Sequence, residues 1–336
     1  AQAILAPAMP IPSPTTPETW ASFGVVGLFF PLHIICGLLA IPFLCYQLYS
    51  GSVVALVFVI VYLPLYLYPA QLRYPGWKGF DLLWRLMDYS TTCPSYFGSF
   101  EVHNPHEVDG DAQYFAACHP HGTLIFQRMF WRSEQLRRHL RRDWRMLGAS
   151  VIFRIPIMRE MSLWFGAVDA SRANCERLLR AGVTVTVWPG GLDEANSVDA
   201  PDSVNIRTRT GFVRLAVKHG VPVLPAFVFG ELDAVSAVSP LPKAVADFCQ
   251  KKLRFSTAMF LGRWNTFLPR RVPFHMVLGK PCPVQKLAPD EPGFDAEVER
   301  VHALYKAGIL EIYETHRAKF GYEDRQLVFL EDKKSK

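Results

Sequence analysis

Charge is what the first fifth of this 336-residue chain lacks. Glu18 is the only Asp, Glu, Lys or Arg before Arg73, so Thr19 to Leu72 are 54 consecutive residues without a formal charge. A segment folded in water keeps polar side chains along its exposed face, so this gap argues against an ordinary water-soluble enzyme. A disulfide or zinc framework is missing too. The seven cysteines, at 36, 45, 93, 118, 175, 249 and 282, are odd in number, scattered, and include no CxxC. Thiols of this kind suit a reducing compartment, which puts the rest of the chain on the cytosolic side. No basic region precedes the apolar stretch, which is also too long for a secretory signal. No GxSxG nucleophile elbow and no internal repeat occurs.

Two apolar runs fill the charge-free stretch, Phe23 to Tyr46 and Val53 to Tyr68. About 20 helical residues cross a hydrocarbon core of roughly 30 Å, so the first run is long enough and the second marginal. The short polar break Gln47 to Ser52, with Gly51, predicts a helical hairpin whose ends return to one side. Pro31, Pro42 and Pro64 would kink it, so a hairpin entering one leaflet stays open beside a spanning one. Tyr62, Tyr66, Tyr68 and Trp77 then read as an interface belt, followed by Arg73, Lys78 and Arg85. The alternative is a buried helical pair in a soluble core. The expected organisation is a flexible Ala- and Pro-rich segment over 1–19, a membrane-embedded hairpin over 20–70 and a cytosolic domain over 71–336. The chain begins with Ala, which leaves open whether that N-terminus is native.

Residues 73–336 carry 36 basic and 29 acidic side chains. This mild, dispersed excess fits an anionic membrane surface or a phosphorylated substrate rather than nucleic acid. Apolar patterning predicts strands at Gln113–Cys118, Arg145–Gly148, Val183–Trp188, Val223–Phe229 and Phe274–Gly279. Helices are expected over Gly122–Leu140, Ser171–Ala181, Gly211–His219 and Phe294–Phe320. The alternation implies an α/β domain with a mainly parallel sheet flanked by helices.

Three stretches carry chemistry. His119-Pro120-His121-Gly122 directly follows the first of these strands, where α/β proteins place ligand sites. Histidine suits proton transfer near neutral pH, while the same spacing also fits two surface histidines or two metal ligands. No third ligand stands at an expected spacing, so no metal is assigned. Cys118 beside His119 allows a Cys/His nucleophile, although a Cys closing an apolar strand is more often simply buried. Trp188-Pro189-Gly190-Gly191-Leu192-Asp193-Glu194 also follows a strand, so both loops should emerge at one sheet edge. Its glycines expose N–H groups to an oxyanion or phosphate, and Asp193 or Glu194 is suited to orient a histidine; a plain turn is the alternative. Arg207 to Lys218 sets basic and hydroxyl groups at a helix start, with Arg214 and Lys218 on one face. Arg209, Arg214 and Lys218 are thus candidates for the phosphates of coenzyme A, against a solvated basic face. A second basic helix, Gln127 to Arg145, reads as a surface for lipid head groups or solvent.

Taken together, these blocks resemble the type-2 diacylglycerol acyltransferase family, with its monoacylglycerol and wax-alcohol relatives. The matching elements are the apolar hairpin, His119–Gly122, Arg154-Ile-Pro-Ile-Met-Arg-Glu160, Pro189–Glu194 and Arg209–Ala216. Gly220–Glu231, Gly279-Lys-Pro281 and His316–Gly321 complete the series, which covers about residues 70 to 322. The resemblance implies acyl transfer from acyl-CoA, a substrate, to a lipid hydroxyl, without a resident cofactor. It also implies the endoplasmic reticulum membrane, or the lipid droplet surface, as the setting. Diacylglycerol is the expected acceptor, with monoacylglycerol or a long-chain alcohol as alternatives; from another class, a non-catalytic lipid-binding or droplet-anchoring protein. The wider glycerolipid acyltransferases pair a His with an Asp five residues on, but Leu124 and Phe126 stand there. The resemblance puts His121 at the catalytic position as general base, with His119 or backbone N–H groups on the oxyanion and Glu194 orienting. Gly122, Gly190 and Gly191 are then expected to line the acyl-CoA site. A homo-oligomer is left open.

Overall fold

The computed structural model describes residues 17–68, 86–156, 158–191, 194, 202–238, 242, 245, 248–249 and 259–330, with the backbone alone over 28–38. Asp193 and the expected interface residues Arg73, Trp77, Lys78 and Arg85 lie outside them.

Seven strands build the main sheet: β1 (Phe100–His103), β2 (Phe115–His119), β3 (Trp144–Gly148), β4 (Ala167–Asp169), β5 (Thr184–Val187), β7 (Val223–Phe229) and β10 (Phe274–Leu278). Their order is β1-β10-β7-β2-β5-β3-β4. From β7 to β4 all neighbours are parallel, whereas β10 runs antiparallel to β7 and carries β1 parallel beside it. β2 occupies the middle because every residue in it is buried, the pattern of a strand covered on both faces. Two small ladders flank the sheet, β6 (Ser203–Ile206) parallel to β11 (Gln326–Phe329) and β8 (Ser236–Val238) antiparallel to β9 (Met259–Leu261). The mixed α/β architecture with a mainly parallel sheet is therefore present.

The helices are α1 (Trp20–Ser22), α2 (Phe29–Tyr49), α3 (Val53–Leu67), α4 (Tyr89–Phe97), α5 (Glu134–His139), α6 (Met158–Trp164), α7 (Arg172–Arg180), α8 (Gly211–His219) and α9 (Phe294–His316). α9 buries Phe294, Val298, Val301, Tyr305, Ile309 and Ile312, the expected stripe, against Phe115, Phe212, Phe227 and Val277. The opposite sheet face packs Ala116, Cys118, Met276 and Leu278 on Tyr96, Phe97, Phe126 and Phe130.

One expected helix is not there. Gly122–Leu140 is a loop, a 3₁₀ segment over Phe126–Arg132, and α5. The reason is local. Buried Glu231 takes the N–H groups of Phe126 (2.8 Å) and Gln127 (2.7 Å), and Ser133 caps α5 through the Leu136 amide. The supposed basic helix Gln127–Arg145 breaks with it: Arg132 bonds the Phe165 carbonyl, Arg138 pairs with Glu134, and Arg141 pairs with Asp111.

Ser50–Ser52 turns α2 into α3 with Gly51 at φ +77°, and Ser52 caps α3. Pro42 and Pro64 lie within these helices without ending them. Among the described residues no helix is long and apolar enough to cross a membrane. The end of α3 is held by the Arg154–Glu160 block. Tyr62 donates to Glu160 Oε2 (2.5 Å), Tyr66 donates to the Arg154 carbonyl (2.8 Å), and buried Arg159 donates to the Leu65 and Tyr68 carbonyls.

Candidate active site

The two loops singled out from the sequence meet, because β2 and β5 are parallel neighbours and both loops leave from the C-terminal edge. Glu194 crosses to the β2 loop and is fully enclosed there. His119 Nδ1 lies 3.1 Å from Glu194 Oε2 and 3.3 Å from Oε1, so Nδ1–H donates to the carboxylate. The His121 amide donates to Oε1, and the Arg207 amide donates to Oε2 at 3.1 Å. Burial works against the Glu194 charge, yet His119, the Arg207 amide and His121 together hold its carboxyl below the ordinary range. Gly190 makes this closure fit, since a Cβ there would overlap the Glu194 carboxylate. Gly191 adopts φ +54° in the same turn.

The two histidines differ. His119 is wholly buried, and its Nε2 meets no hydrogen-bond partner among the described residues. His121 is half-buried, and its Nδ1–H donates to the Gly122 carbonyl at 2.7 Å, which leaves Nε2 as the lone-pair nitrogen. Burial lowers the His121 pKa, with the Gly122 carbonyl and Glu194 opposing, so the ring is neutral at neutral pH. The arrangement thus offers an accessible neutral imidazole beside an imidazole–carboxylate pair, the equipment of proton transfer to or from a hydroxyl.

The family model described as Diacylglycerol acyltransferase matches residues 48–330. The chain belongs to the diacylglycerol acyltransferase family. It is 32% identical to human 2-acylglycerol O-acyltransferase 3 over 64% of this chain and 67% of that one. It is 27% identical to human acyl-CoA wax alcohol acyltransferase 2 over 72% of this chain and 76% of that protein. It is also 27% identical to human diacylglycerol O-acyltransferase 2, over 52% of this chain and 48% of the relative. A crystal structure of the 1-acyl-sn-glycerophosphate acyltransferase of Thermotoga maritima aligns with TM-score 0.42 and 16% identity, covering 83% of this chain and 97% of that one.

Against this family background, the remaining candidates divide. Gly122, at φ +62°, sits over Glu231, whose Cγ and Oε1 would lie 2.7 Å from a Cβ there. Arg209 is exposed in the loop before α8. Arg214 pairs with Asp295 (2.6 Å), and Lys218 pairs with Glu176 (2.9 Å), so both are engaged by side chains flanking α8. Cys118 is buried on the opposite sheet face from His119, and burial pushes its thiol far up, which removes the Cys/His nucleophile reading.

Glu231 is a residue to which the sequence pattern assigns no role. Burial raises its pKa to about 8 despite the two amide donors, and Gln127 Nε2 ties the same loop to the Pro120 carbonyl. The available signal was position alone: a carboxylate two residues beyond β7, at the edge where β2 and β5 also end. Among the described residues, Glu101, His103 and His275 also converge. That group lies on β1 and β10, three and two positions from β2 in the sheet, with His103 Nε2 3.1 Å from His275 Nδ1. Burial lowers the basicity of both rings, Lys319 adds to it, and Glu101 is exposed.

Proposed function

We propose that this chain is an acyl-CoA-dependent O-acyltransferase that esterifies the free hydroxyl of diacylglycerol to give triacylglycerol. The observation that carries the reading is the His119–Glu194–His121 constellation at the sheet edge, in a member of this acyltransferase family. His121 Nε2 removes the acceptor proton as its oxygen attacks the thioester carbonyl. The tetrahedral oxyanion then collapses, the C–S bond breaks, and the coenzyme A thiolate takes back the proton from the His121 imidazolium. His119, pinned by Glu194, holds the loop, whose backbone N–H groups meet the oxyanion. No metal or resident cofactor enters these steps. Gly122, Gly190 and Gly191 keep backbone close to the acyl-CoA; Arg209 and Arg214 are the exposed members of the proposed phosphate contacts.

A second assignment of the same chemistry makes the His119–Glu194 pair the base. It is favoured by the unpartnered His119 Nε2 and by the carboxylate on Nδ1, which fixes the tautomer and the orientation of the ring. His121→Asn that abolishes turnover, with His119→Asn leaving measurable rate, supports the first; the reverse supports the second. For the acceptor, a monoacylglycerol is the competing choice, supported by the 32% identity to 2-acylglycerol O-acyltransferase 3.

The setting we propose is the endoplasmic reticulum membrane, with the lipid droplet surface as a further location. The α2–α3 pair enters the bilayer and the catalytic domain faces the cytosol. The supporting observation is the array of solvent-exposed apolar side chains on this pair, from Phe43 and Tyr46 through Val54, Val57 and Phe58 to Leu67. Membranes carrying the protein, given labelled acyl-CoA and one acceptor at a time, should form triacylglycerol from diacylglycerol. Failure to esterify any acceptor would defeat the enzyme reading.

A further inference from the structure

Glu18 is the last charge before the 54-residue uncharged stretch, so it marks the depth at which water gives way to lipid if α2 and α3 are embedded. It is bound by a residue far away in sequence. Arg263 Nη1 lies 2.9 Å from both Glu18 oxygens, and the same guanidinium stacks 4.1 Å above the Trp264 ring. The turn that carries Trp264 is therefore fixed at the level of Glu18 and Trp20.

Everything around that turn is built to keep the indole outside. Trp264 and Asn265 both adopt φ +55°, a left-handed backbone that bulky residues seldom take. The turn is closed by Gly262 N–H on the Thr266 carbonyl (2.7 Å), Arg263 N–H on the Leu268 carbonyl (2.6 Å) and the Thr266 hydroxyl on the Arg263 carbonyl (2.8 Å). A Cβ at Gly262 would overlap the Leu268 carbonyl oxygen. Tyr96 on α4 donates to the Pro269 carbonyl (2.6 Å), and Arg271 donates to the Tyr96 and Ser95 carbonyls. Ser95 in turn bonds the Pro17 carbonyl and the Thr19 amide. One end of α4 thus holds both the start of the apolar segment and the Trp264 turn. Yet Trp264 stays 67% exposed and Trp20 90% exposed, with apolar rings turned to solvent from a rigid base.

We propose that Trp20 and Trp264 form a two-indole interfacial anchor that seats the catalytic domain on the lipid surface beside the embedded helices. The occupant is the headgroup–acyl boundary of a bilayer. It is selected by the uncharged stretch that Trp20 opens, which continues in sequence into α2 and α3 with their exposed apolar side chains from Leu39 to Leu67, and by the Arg263–Glu18 ion pair, which sets charge directly beside the indole. An interfacial Trp places its ring among the acyl-chain ends of the headgroups, and an Arg beside it reaches back to water and phosphate. The consequence is that the bilayer is contacted by the 262–268 turn as well as by residues 20–70, which fixes the domain's tilt and not only its tether. This inference rests on the membrane-seated reading above.

The test uses the full chain, labelled with 5-fluorotryptophan, in bilayer nanodiscs with and without a phospholipid carrying a nitroxide at acyl carbon 5. The resonances lost in Trp20→Phe and Trp264→Phe identify the two indoles, and fully buried Trp131 is the internal control. A Phe58→Trp variant reports on α3. The nitroxide should broaden the Trp264, Trp20 and α3 resonances and leave Trp131 sharp. A sharp Trp264 resonance beside a broadened α3 resonance would overturn the anchor while leaving the embedded helices standing. If neither broadens, the embedded reading falls and the anchor falls with it. As a functional readout, Trp264→Glu should raise the apparent KM for acceptor presented in vesicles about tenfold, the effect of about 1.4 kcal/mol. The kcat at saturating lipid should stay unchanged; a lowered kcat with unaltered KM would contradict a surface role.

Discussion

At the residue scale, the site turns on one carboxylate serving three donors. Glu194→Gln keeps one acceptor oxygen but turns an NH₂ toward a backbone N–H, so the loop loses about 2 kcal/mol of stability. Chemical denaturation should show that loss, and kcat should fall further than KM rises. His121 makes a pH prediction. Burial holds its folded pKa below 6.5, so the base form persists further on acidification and the acid limb of kcat/KM should be centred below pH 6.5. An acid limb centred above 6.5 would remove His121 from the base role. Glu231 acts on stability with the opposite sense. An acid raised from 4.5 to about 8 keeps its proton in the folded state after the unfolded chain has lost it. Stability should therefore decline as pH rises from about 4.5 to 8, and Glu231→Gln should flatten that slope in urea titrations at several pH values. These roles are unequal in legibility. His119, His121 and Glu194 announce themselves by residue type behind strands. Glu231 does not, because its effect lies in two amides it receives from 104 and 105 residues away in sequence.

At the element scale, the Arg154–Glu160 block is a receptor for the end of α3. Arg159 is buried, and replacing it with Met leaves the Leu65 and Tyr68 carbonyls and the Glu160 charge without their cation. Loss of such a buried group costs about 3 kcal/mol. Arg159→Met should accordingly make the chain between residues 50 and 68 more sensitive to limited proteolysis, while fragments from the sheet stay resistant. Uniform sensitivity across the chain would mean global unfolding instead. The failure of the expected Gly122–Leu140 helix also belongs to this scale. Its apolar pattern is helical, but Glu231 captures the first amides and Ser133 starts a fresh helix, neither of which periodicity registers. The same break turned the Arg-rich run from the expected continuous basic helix into separate local contacts. Where no outside residue intervenes, pattern and structure coincide, as in β7 over Val223–Phe229 and α8 ended by Gly220 at φ +68°.

For the whole molecule, the proposed seat on lipid carries a prediction about salt. Attachment through an apolar exterior is insensitive to ionic strength, unlike attachment through scattered basic residues. The full chain should float with neutral phosphatidylcholine vesicles and stay with them in 1 M salt (roughly a 3 Å screening length). Release by salt would make the contact electrostatic and withdraw the embedded helices. Epitopes near residues 15 and 330 should both be reached after selective permeabilisation of the plasma membrane if α2 and α3 return to one side.

Composition and local pattern alone determined the division into an uncharged helical region and an α/β domain, the strand–helix alternation, and the two loops that hold the site. Those properties depend on side-chain type and short-range spacing, which the chain carries in order. The tertiary structure decided which histidine Glu194 grips and that Arg214 and Lys218 face Asp295 and Glu176. It also decided that Glu231 underlies the loop and that Arg263 brings Trp264 to Glu18. Each of these joins residues tens to hundreds of positions apart, and such contacts arise only when parallel strands and packed helices set distant segments side by side.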